Sequence, residues 1–278
     1  MLQAPHHYIA PRLPYLSLVL NLVRLPAHFL FGQRMIRTIW FYFSFLLTTL
    51  YVCIFMPISA ALDSSGKMVR YFALYWCRAA RFCSQITLIT DTDSIPTDEP
   101  VIFVANHQSQ FDIPLSTVAL KKALPAFMAK KSLQELPLIG RCFRLFGNIS
   151  VDRSNRRAAM ESLETAATTI RNGRSVILFP EGTRQDQLEE LGDFKTGAIM
   201  LALKAGVPIV PVIIEGTGDI LPKGRISLGS RKKVYITAME PISTAEYTMK
   251  QRNEFSDMLR EHMNKKYMEM RACHKTQA

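Results

Sequence analysis

The stretch Val101-Ile102-Phe103-Val104-Ala105, followed directly by Asn106-His107-Gln108-Ser109-Gln110-Phe111-Asp112, is the most informative part of the chain. Its first five residues are apolar and rich in β-branched side chains, which predicts a short buried strand. The strand ends just before a histidine and a carboxylate that are five residues apart. On an ideal helix that spacing leaves two side chains about 140° apart, so they can meet only across a turn. A turn is expected, because Asp112 can N-cap a helix beginning at Ile113-Pro114.

His107 and Asp112 have the chemistry of a general base and the group that orients it. An imidazole titrates near neutral pH and can accept a proton from a hydroxyl, while a carboxylate on its other nitrogen selects the tautomer and stabilises the imidazolium. The simpler alternative is a loop histidine and a helix cap, which is the commoner case for an isolated pair at this spacing. The pair alone therefore does not decide the function.

Three further segments strengthen the pattern, because each joins a short β-like run to charged residues or prolines. Phe179-Pro180-Glu181-Gly182-Thr183-Arg184 follows the apolar run Ser175 to Leu178. Gly147 to Arg153 ends in an arginine, and Val207 to Ile214 is an apolar run that contains two prolines. Four such blocks in this order form a specific pattern.

In these blocks the chain resembles the glycerolipid acyltransferase family, most closely the 1-acylglycerol-3-phosphate acyltransferases. The match runs from about Phe41 to Ile242. The resemblance implies an α/β fold with a mixed sheet flanked by helices, and His107 and Asp112 as the catalytic His-x4-Asp pair. Ser150 stands where the family commonly has a bulkier or aromatic residue, but the charged residues of that block are intact.

The resemblance also implies a reaction, the transfer of an acyl group from a thioester to a lysophospholipid hydroxyl. This reaction needs a base on the alcohol, stabilisation of a tetrahedral oxyanion and capture of a phosphate. His107 would be the base and Asp112 its orienting carboxylate, with no covalent acyl-enzyme. Arg153 and Arg184 are the expected phosphate ligands, because a guanidinium presents paired donors and stays charged.

The remaining expected substrate-binding residues lie in or near the same blocks. Lys130 or Lys131 could add a point charge beside the phosphate. Glu181 is expected to bind the glycerol hydroxyl or to hold the arginine of its own block, with a structural ion pair as the alternative. Gly182 is expected to permit a tight turn, and Thr183 completes the substrate-binding segment. No metal and no cofactor are expected, since the acyl donor is a co-substrate.

Positive charge is concentrated beside the most apolar part of the chain. There are 34 Lys and Arg against 23 Asp and Glu, a net charge of +11, and 48% of residues are hydrophobic. Residues 1–90 hold eight basic residues and one acid, a net charge of +7. Anionic lipid head groups attract each such residue by about 1 kcal/mol. Membrane phospholipids are therefore expected partners, and nucleic acid is not, because no recognition motif is present.

Residues 38–90 are predicted to form a membrane-anchoring helical hairpin, and residues 1–37 are an extension of uncertain structure. Thr38 to Leu62 has no charged residue and, at 25 residues, is long enough to span a bilayer. Pro57 could shorten or kink this helix. Lys67 to Ile86 mixes aromatic and basic side chains, which is typical of an interfacial helix. A hairpin dipping into one leaflet and a core-packed soluble hairpin are the alternatives to a span.

Residues 91–278 are predicted to form one catalytic domain that closes with an amphipathic helix. Ser243-Thr244-Ala245-Glu246 predicts a capping box at the start of that helix. Its apolar face would be formed by four residues, Phe255, Leu259, Met263 and Tyr267. The five cysteines show no metal-site spacing, which predicts free thiols in a reducing compartment.

Three functions compete on this sequence. The leading prediction is acyl transfer from acyl-CoA or acyl-carrier protein to the sn-2 hydroxyl of 1-acyl-sn-glycerol-3-phosphate, which makes phosphatidic acid. The first alternative is an acyltransferase for another acceptor, such as glycerol-3-phosphate, a lyso-ornithine lipid or another lysophospholipid. The second is a catalytically silent membrane lipid-binding protein, against which the intact His107 and Asp112 argue. The expected location is a membrane, with the catalytic domain facing the cytoplasm.

Overall fold

A seven-stranded sheet forms the centre of the computed structural model, which describes residues 27–96, 98–152 and 156–275. The strands of this part of the chain are β1 (Thr87–Asp91), β2 (Ile102–Ala105), β3 (Ala126–Lys130), β4 (Ile149–Val151), β5 (Val176–Leu178), β6 (Ile209–Glu215) and β7 (Lys233–Ala238). Their order across the sheet is β1-β7-β6-β2-β5-β3-β4. All neighbouring strands are parallel except β6 and β7, which confirms the predicted mixed sheet.

Helices flank the sheet, and two helices form the first described part of the chain. In order they are α1 (Ala27–Leu62), α2 (Lys67–Cys83), α3 (Asp112–Ala119), α4 (Ile139–Leu145), α5 (Arg156–Arg171), α6 (Gly197–Ala205), α7 (Thr217–Ile220) and α8 (Arg252–Lys275). Single 3₁₀ turns lie at Lys131–Leu133 and Met249–Gln251. The described residues contain no disulfide and no cluster of three residues suited to a metal ion.

Both faces of the central strands are covered, so these strands read as continuous apolar runs. Every residue of β2 and β6 is buried, as expected for strands between two layers of helices. On one face the core includes residues of α5, α6 and α8, among them Phe255 and Tyr267. On the other face it includes Phe41 of α1 and Leu115 of α3.

Parallel pairing brings the carboxyl ends of three strands to one edge of the sheet. In the ladders, Ile177 of β5 pairs with Phe103 of β2 and with Phe127 of β3. The loops that follow β2, β5 and β3 therefore leave the sheet side by side. In parallel α/β sheets this edge is where ligands bind.

The N-terminal helices α1 and α2 pack against each other across a short turn at residues 63–66. The helix α1 begins at Ala27, eleven residues before residue 38, where the sequence analysis placed the start of the helical hairpin. Its stretch Gly32–Leu62 is long and apolar enough to cross a membrane, with a mean hydropathy of 2.0, and only 22% of its most apolar part is buried. One charged side chain in α1 is buried: Arg37 donates to the carbonyl oxygens of Ser84 and Gly229, both at 2.7 Å. This arginine fastens the base of α1 to the sheet domain.

Two predicted helix caps are wrong, for identifiable reasons. The carboxylate of Asp112 makes no cap for the helix that follows, because it accepts hydrogen bonds from residues that precede it in the chain. The capping box before α8 lies at Thr248 and Gln251 and not at Ser243. The residues around Ser243 are tied to the sheet instead, since Ile242 pairs with Ile209 and thus delays the start of the helix.

Candidate active site

The site is built around a hydrogen bond between His107 and Asp112 at the carboxyl end of β2. The distance from His107 Nδ1 to Asp112 Oδ2 is 2.7 Å. The same oxygen accepts the backbone N–H groups of Gln108 at 2.6 Å and Ser109 at 2.8 Å. Because Oδ2 is a carboxylate acceptor, we assign the proton to Nδ1, which leaves the lone pair on Nε2 available to a substrate.

The loop that carries His107 is clamped to its neighbours on both sides. Asn106 makes two hydrogen bonds of 2.8 Å with the backbone of Ile214 in β6. The imidazole ring stacks on Phe179, with ring centroids 4.2 Å apart. The carbonyl oxygen of His107 accepts from the backbone N–H of Gln185 at 2.9 Å. The histidine is thus held between two blocks of the sequence pattern, and its side chain remains 16% exposed.

Glu181 lies beside this pair as a buried carboxyl group. It is 3% exposed, and neither of its carboxyl oxygens makes a hydrogen bond of standard geometry with a described residue. Burial raises the pKa of Glu181 from about 4.5 to about 8, against the smaller opposing influence of the nearby His107 backbone and Gln185. The carboxyl group is therefore mainly protonated at neutral pH. In that form it is a hydrogen-bond donor.

Replacing Glu181 with glutamine should remove a pH dependence of stability. Because the pKa of Glu181 is higher in the folded than in the unfolded chain, its contribution to stability is full below about pH 4.5 and is lost as the pH rises through about 8. We expect the free energy of unfolding of Glu181→Gln, relative to the unmodified protein, to increase by a few kcal/mol between about pH 5 and about pH 9. Urea unfolding at both pH values measures this difference, and parallel stabilities of the two proteins would contradict it.

The residues expected to bind phosphate differ in burial and in whether they already form an ion pair. Arg184 is half-buried in the loop after β5 and makes no ion pair with a described residue. Lys130 is exposed at the end of β3, whereas Lys131 forms an ion pair of 3.1 Å with Asp152. Lys131 is therefore paired with a carboxylate, whereas Lys130 forms no ion pair with a described residue. Arg153 lies outside the described residues.

The turn at Gly182 brings in a cation, Lys195, that was not among the expected substrate-binding residues. Gly182 has a φ of +71°, a conformation that favours glycine, and its N–H donates to the carbonyl oxygen of Phe179 at 3.1 Å. The Lys195 ammonium lies over this turn, so that a Cβ at position 182 would come within 2.9 Å of Lys195 Nζ. The next residue, Thr183, is exposed.

A buried tyrosine of α8 joins the two loops of the site. The hydroxyl of Tyr267 donates to the carbonyl oxygen of Leu188 at 2.6 Å and accepts from Gln108 Nε2 at 2.7 Å. Gln108 is the residue whose backbone N–H holds Asp112. The sequence placed Tyr267 on an apolar helix face, and the signal it offered was the hydroxyl, which needs a partner when buried.

Replacing Tyr267 with phenylalanine should loosen the site as well as the fold. The change leaves the buried side-chain amide of Gln108 without its partner and removes a hydrogen bond to the partly buried carbonyl of Leu188. This loss costs about 1–3 kcal/mol of stability. We expect a lower kcat together with a higher KM for the acceptor, because the change loosens both the loop of the base and the loop that carries Arg184. Tyr247→Phe is the matched control, since Tyr247 stacks on Phe255 and its hydroxyl makes no hydrogen bond with a described residue. Equal behaviour of the two variants would contradict a positioning role for Tyr267.

Together, the fold and the site define an α/β protein with a candidate general base at the ligand-binding edge of its sheet. The histidine–carboxylate pair lies next to a buried carboxyl and to cations that form no ion pair with a described residue. A long apolar helix is fastened to the same domain.

Comparison with known proteins indicates the family to which this fold and site belong. Residues 87–215 match the family model described as Acyltransferase. A 1-acyl-sn-glycerol-3-phosphate acyltransferase of Chlamydomonas reinhardtii is 35% identical over 69% of this chain, an alignment that spans 59% of the algal protein. The protein of the same description from Escherichia coli is 32% identical over 63% of this chain and 71% of its own length. The crystal structure of the 1-acyl-sn-glycerophosphate acyltransferase from Thermotoga maritima is similar with a TM-score of 0.74 at 28% identity, over 86% of this chain and 96% of that one.

The chain belongs to the acyltransferase family that includes the 1-acyl-sn-glycerol-3-phosphate acyltransferases. It spans less than two thirds of the length of the algal relative. Residues 87–215, which the family model matches, include His107, Asp112 and Glu181.

Proposed function

We propose that the protein transfers a fatty acyl group from a thioester donor to the sn-2 hydroxyl of 1-acyl-sn-glycerol-3-phosphate, forming phosphatidic acid. The observation that carries this proposal is the bond of 2.7 Å between His107 and Asp112, in a chain whose relatives are named for this activity. A silent lipid-binding protein would need neither this bond nor the buried carboxyl beside it.

In the proposed reaction His107 acts as general base on the acceptor hydroxyl. Nε2 takes the hydroxyl proton while the oxygen attacks the thioester carbonyl carbon, and the resulting imidazolium is stabilised through Nδ1 by Asp112. Collapse of the tetrahedral intermediate breaks the carbon–sulfur bond, and the imidazolium returns the proton to the departing thiolate. The products are the ester and the free thiol, and the histidine is restored.

Glu181 fits this scheme as a neutral hydrogen-bond donor. An ionised carboxylate beside a developing oxyanion or a phosphate would oppose both by charge repulsion. With its pKa raised to about 8 by burial, Glu181 is mainly uncharged at neutral pH and can donate to the glycerol backbone of the acceptor. The other expected role of Glu181 was to hold Arg184. Glu181 and Arg184 form no ion pair in the structure, so we favour the role of a donor to the acceptor.

The acceptor phosphate is proposed to bind Arg184, with Lys130, Lys195 and Arg153 as further cations. Arg184 and Lys195 both lie next to the turn at Gly182. A half-buried guanidinium without a carboxylate partner favours an anionic ligand. The same feature disfavours an acceptor that lacks a phosphate, such as a lyso-ornithine lipid, while glycerol-3-phosphate and other lysophospholipids remain alternatives for the assay to compare.

Replacing Arg184 with alanine should chiefly weaken acceptor use. Hydrogen bonds to a charged group are worth about 1.5–3 kcal/mol, so kcat/KM for lysophosphatidate should fall about 10- to 100-fold. We expect most of this loss in the KM for the acceptor and little change in the KM for the donor. Arg225→Ala is the matched control, since Arg225 is exposed in a loop between α7 and β7. A loss confined to the donor KM would contradict the assignment.

The proposed donor is acyl-CoA or acyl-carrier protein, and the proposed location is a membrane with the catalytic domain facing the cytoplasm. The net charge of +11 favours either acidic donor, and the exposed apolar surface of α1 favours association with lipid. Parallel assays test the function: purified protein is given oleoyl-CoA or oleoyl-acyl-carrier protein with lysophosphatidate, glycerol-3-phosphate or lysophosphatidylcholine. Preference for lysophosphatidate supports the proposal, and preference for another acceptor overturns it.

A further inference from the structure

The connection between β3 and β4 exposes apolar side chains that no described part of the chain covers. Leu136, Pro137, Leu138 and Ile139 are four consecutive exposed residues, and the side chain of Leu138 is 58% exposed. Leu133 and Leu145 are also exposed in this segment. Runs of exposed apolar residues are uncommon on soluble surfaces and mark contact with another phase or another molecule.

Close backbone contacts fix the conformation of the segment that exposes these apolar side chains. Gly140 is buried, and a Cβ there would collide with the backbone oxygen of Gln134. Arg144 Nη1 donates to that same oxygen at 2.8 Å. Leu138 has a φ of +62° and a ψ of −59°, and the N–H of Ile139 bonds to the oxygen of Pro137 at 2.7 Å. This is the strained form of the γ-turn, which costs roughly 1–3 kcal/mol and persists only where the surroundings enforce it.

The exposed segment is continuous with the apolar surface of α1. The helix α4 packs against α1, and Phe146 at its end is buried in a cluster with Val52 and Met56. An open groove of about 390 Å³ lies between the two helices. It is lined by six residues of α1 and by one arginine of α4: Cys53, Ile54, Pro57, Ile58, Ala61, Leu62 and Arg141.

The segment also lies at the edge of the sheet that holds the active site. It leaves β3 at Lys130, and β3 runs parallel to β5, whose carboxyl end leads to Glu181. Residues 131–145 contain three basic side chains and one acid, Glu135, a net charge of +2. Apolar residues with a basic excess match the surface of a bilayer that contains anionic lipid.

We propose that residues 131–145 form a third membrane-contacting segment, in addition to α1 and α2. Leu136, Leu138 and Ile139 enter the interfacial layer of a bilayer that contains anionic phospholipid, and Arg141 pairs with a lipid phosphate above the groove. This contact holds the mouth of the active site against the lipid surface, so that a lysophospholipid acceptor enters without crossing water. The inference rests on the membrane association proposed above and does not depend on which acceptor is used.

The test measures whether Leu136 meets lipid in the full-length protein. The two native tryptophans, Trp40 and Trp76, are replaced with phenylalanine, and Leu136→Trp is added to give a single indole. The protein is reconstituted in vesicles of phosphatidylcholine and phosphatidylglycerol, with or without brominated acyl chains that quench tryptophan on contact. Met268→Trp in the same background is the matched control, because Met268 is exposed on α8, which packs on the opposite face of the sheet from α1. The protein with Trp40 alone reports the insertion of α1.

We expect brominated lipid to quench the Leu136→Trp indole nearly as strongly as Trp40, and to leave the Met268→Trp indole unaffected. Replacing Arg141 with glutamine should weaken the contact about fivefold in its equilibrium constant. Quenching of Trp40 without quenching at position 136 overturns the proposal. Protection of the position-136 indole from both brominated lipid and aqueous iodide also overturns it, since a second protein surface would then cover the segment. Neither readout uses the acyl-transfer assay, so failure here is distinct from failure of the proposed activity.

Discussion

Replacing His107 with alanine is expected to lower acyl transfer by about 10²- to 10⁴-fold, the usual contribution of a positioned general base. The imidazole has one nitrogen bonded to Asp112 at 2.7 Å and a side chain exposed by 16%, so its free nitrogen can reach a substrate. The measurement is the rate of phosphatidate formation at saturating donor and acceptor.

The variant Asp112→Asn separates orientation from proton transfer. The backbone N–H groups of Gln108 and Ser109 also donate to the oxygen that faces His107, so an asparagine should keep its amide oxygen there and still orient the ring. It removes the negative charge that stabilises the imidazolium during proton transfer. We expect Asp112→Asn to lose nearly as much acyl-transfer activity as His107→Ala. Membrane association and thermal stability should be unchanged in His107→Ala. Normal turnover in either variant would remove the base assignment.

Replacing Arg231 with methionine is expected to cost about 3–5 kcal/mol of stability, because it leaves a buried carboxylate without its main partner. Arg231 Nη2 lies 2.5 Å from Glu215 Oε2, and its Nη1 lies 2.8 Å from Asp219 Oδ2. Glu215 is fully buried at the end of β6, and the Arg231 side chain is 8% exposed. Arg271 of α8 also reaches Glu215, at 3.5 Å. Glu215 is therefore shared by two arginines, and its pair with Arg271 joins the sheet to the closing helix.

The matched control is Arg157→Met, which breaks an exposed ion pair with Glu161 on one helix. The side chains of that pair are 91% and 68% exposed, and such pairs contribute about 0–1 kcal/mol. Denaturant unfolding of both variants measures the contrast. A small loss in Arg231→Met, comparable to that of the control, would show that Arg271 alone satisfies Glu215.

Local sequence patterns predicted the elements that hold the active site. The apolar runs before His107 and Glu181 form β2 and β5, and their parallel pairing brings the two loops together. The four-residue apolar face of the last helix is fully buried, as its spacing predicted. These features depend on hydrophobic periodicity within a few residues, which a sequence displays directly.

Features that depend on distant residues could not be read in the same way. The bond between Tyr267 and Gln108 joins residues 159 positions apart, and no local pattern indicates it. The engagement of Lys131 by Asp152 is another such case. The predicted capping box at Ser243 failed for the same reason, because the bridge between Ile242 and Ile209 overrode a locally favourable motif.

The exposure of residues 131–145 could not be predicted from the sequence either. Its sequence contains leucines that could equally have entered the core, and only the structure shows that Leu136 and Leu138 point away from it. Their exposure depends on the strained turn at Leu138 and on the close approach of Gly140 to Gln134.

The central claim is that His107 drives acyl transfer to a lysophospholipid. The direct measurement gives purified protein and its His107→Ala variant 1-oleoyl-lysophosphatidate and radiolabelled oleoyl-CoA, and follows labelled phosphatidate. The proposed mechanism predicts product with the unmodified protein and a loss of about 10²-fold or more with the variant. Equal product from both proteins, or none from a folded and membrane-associated unmodified protein with either thioester donor, would contradict it.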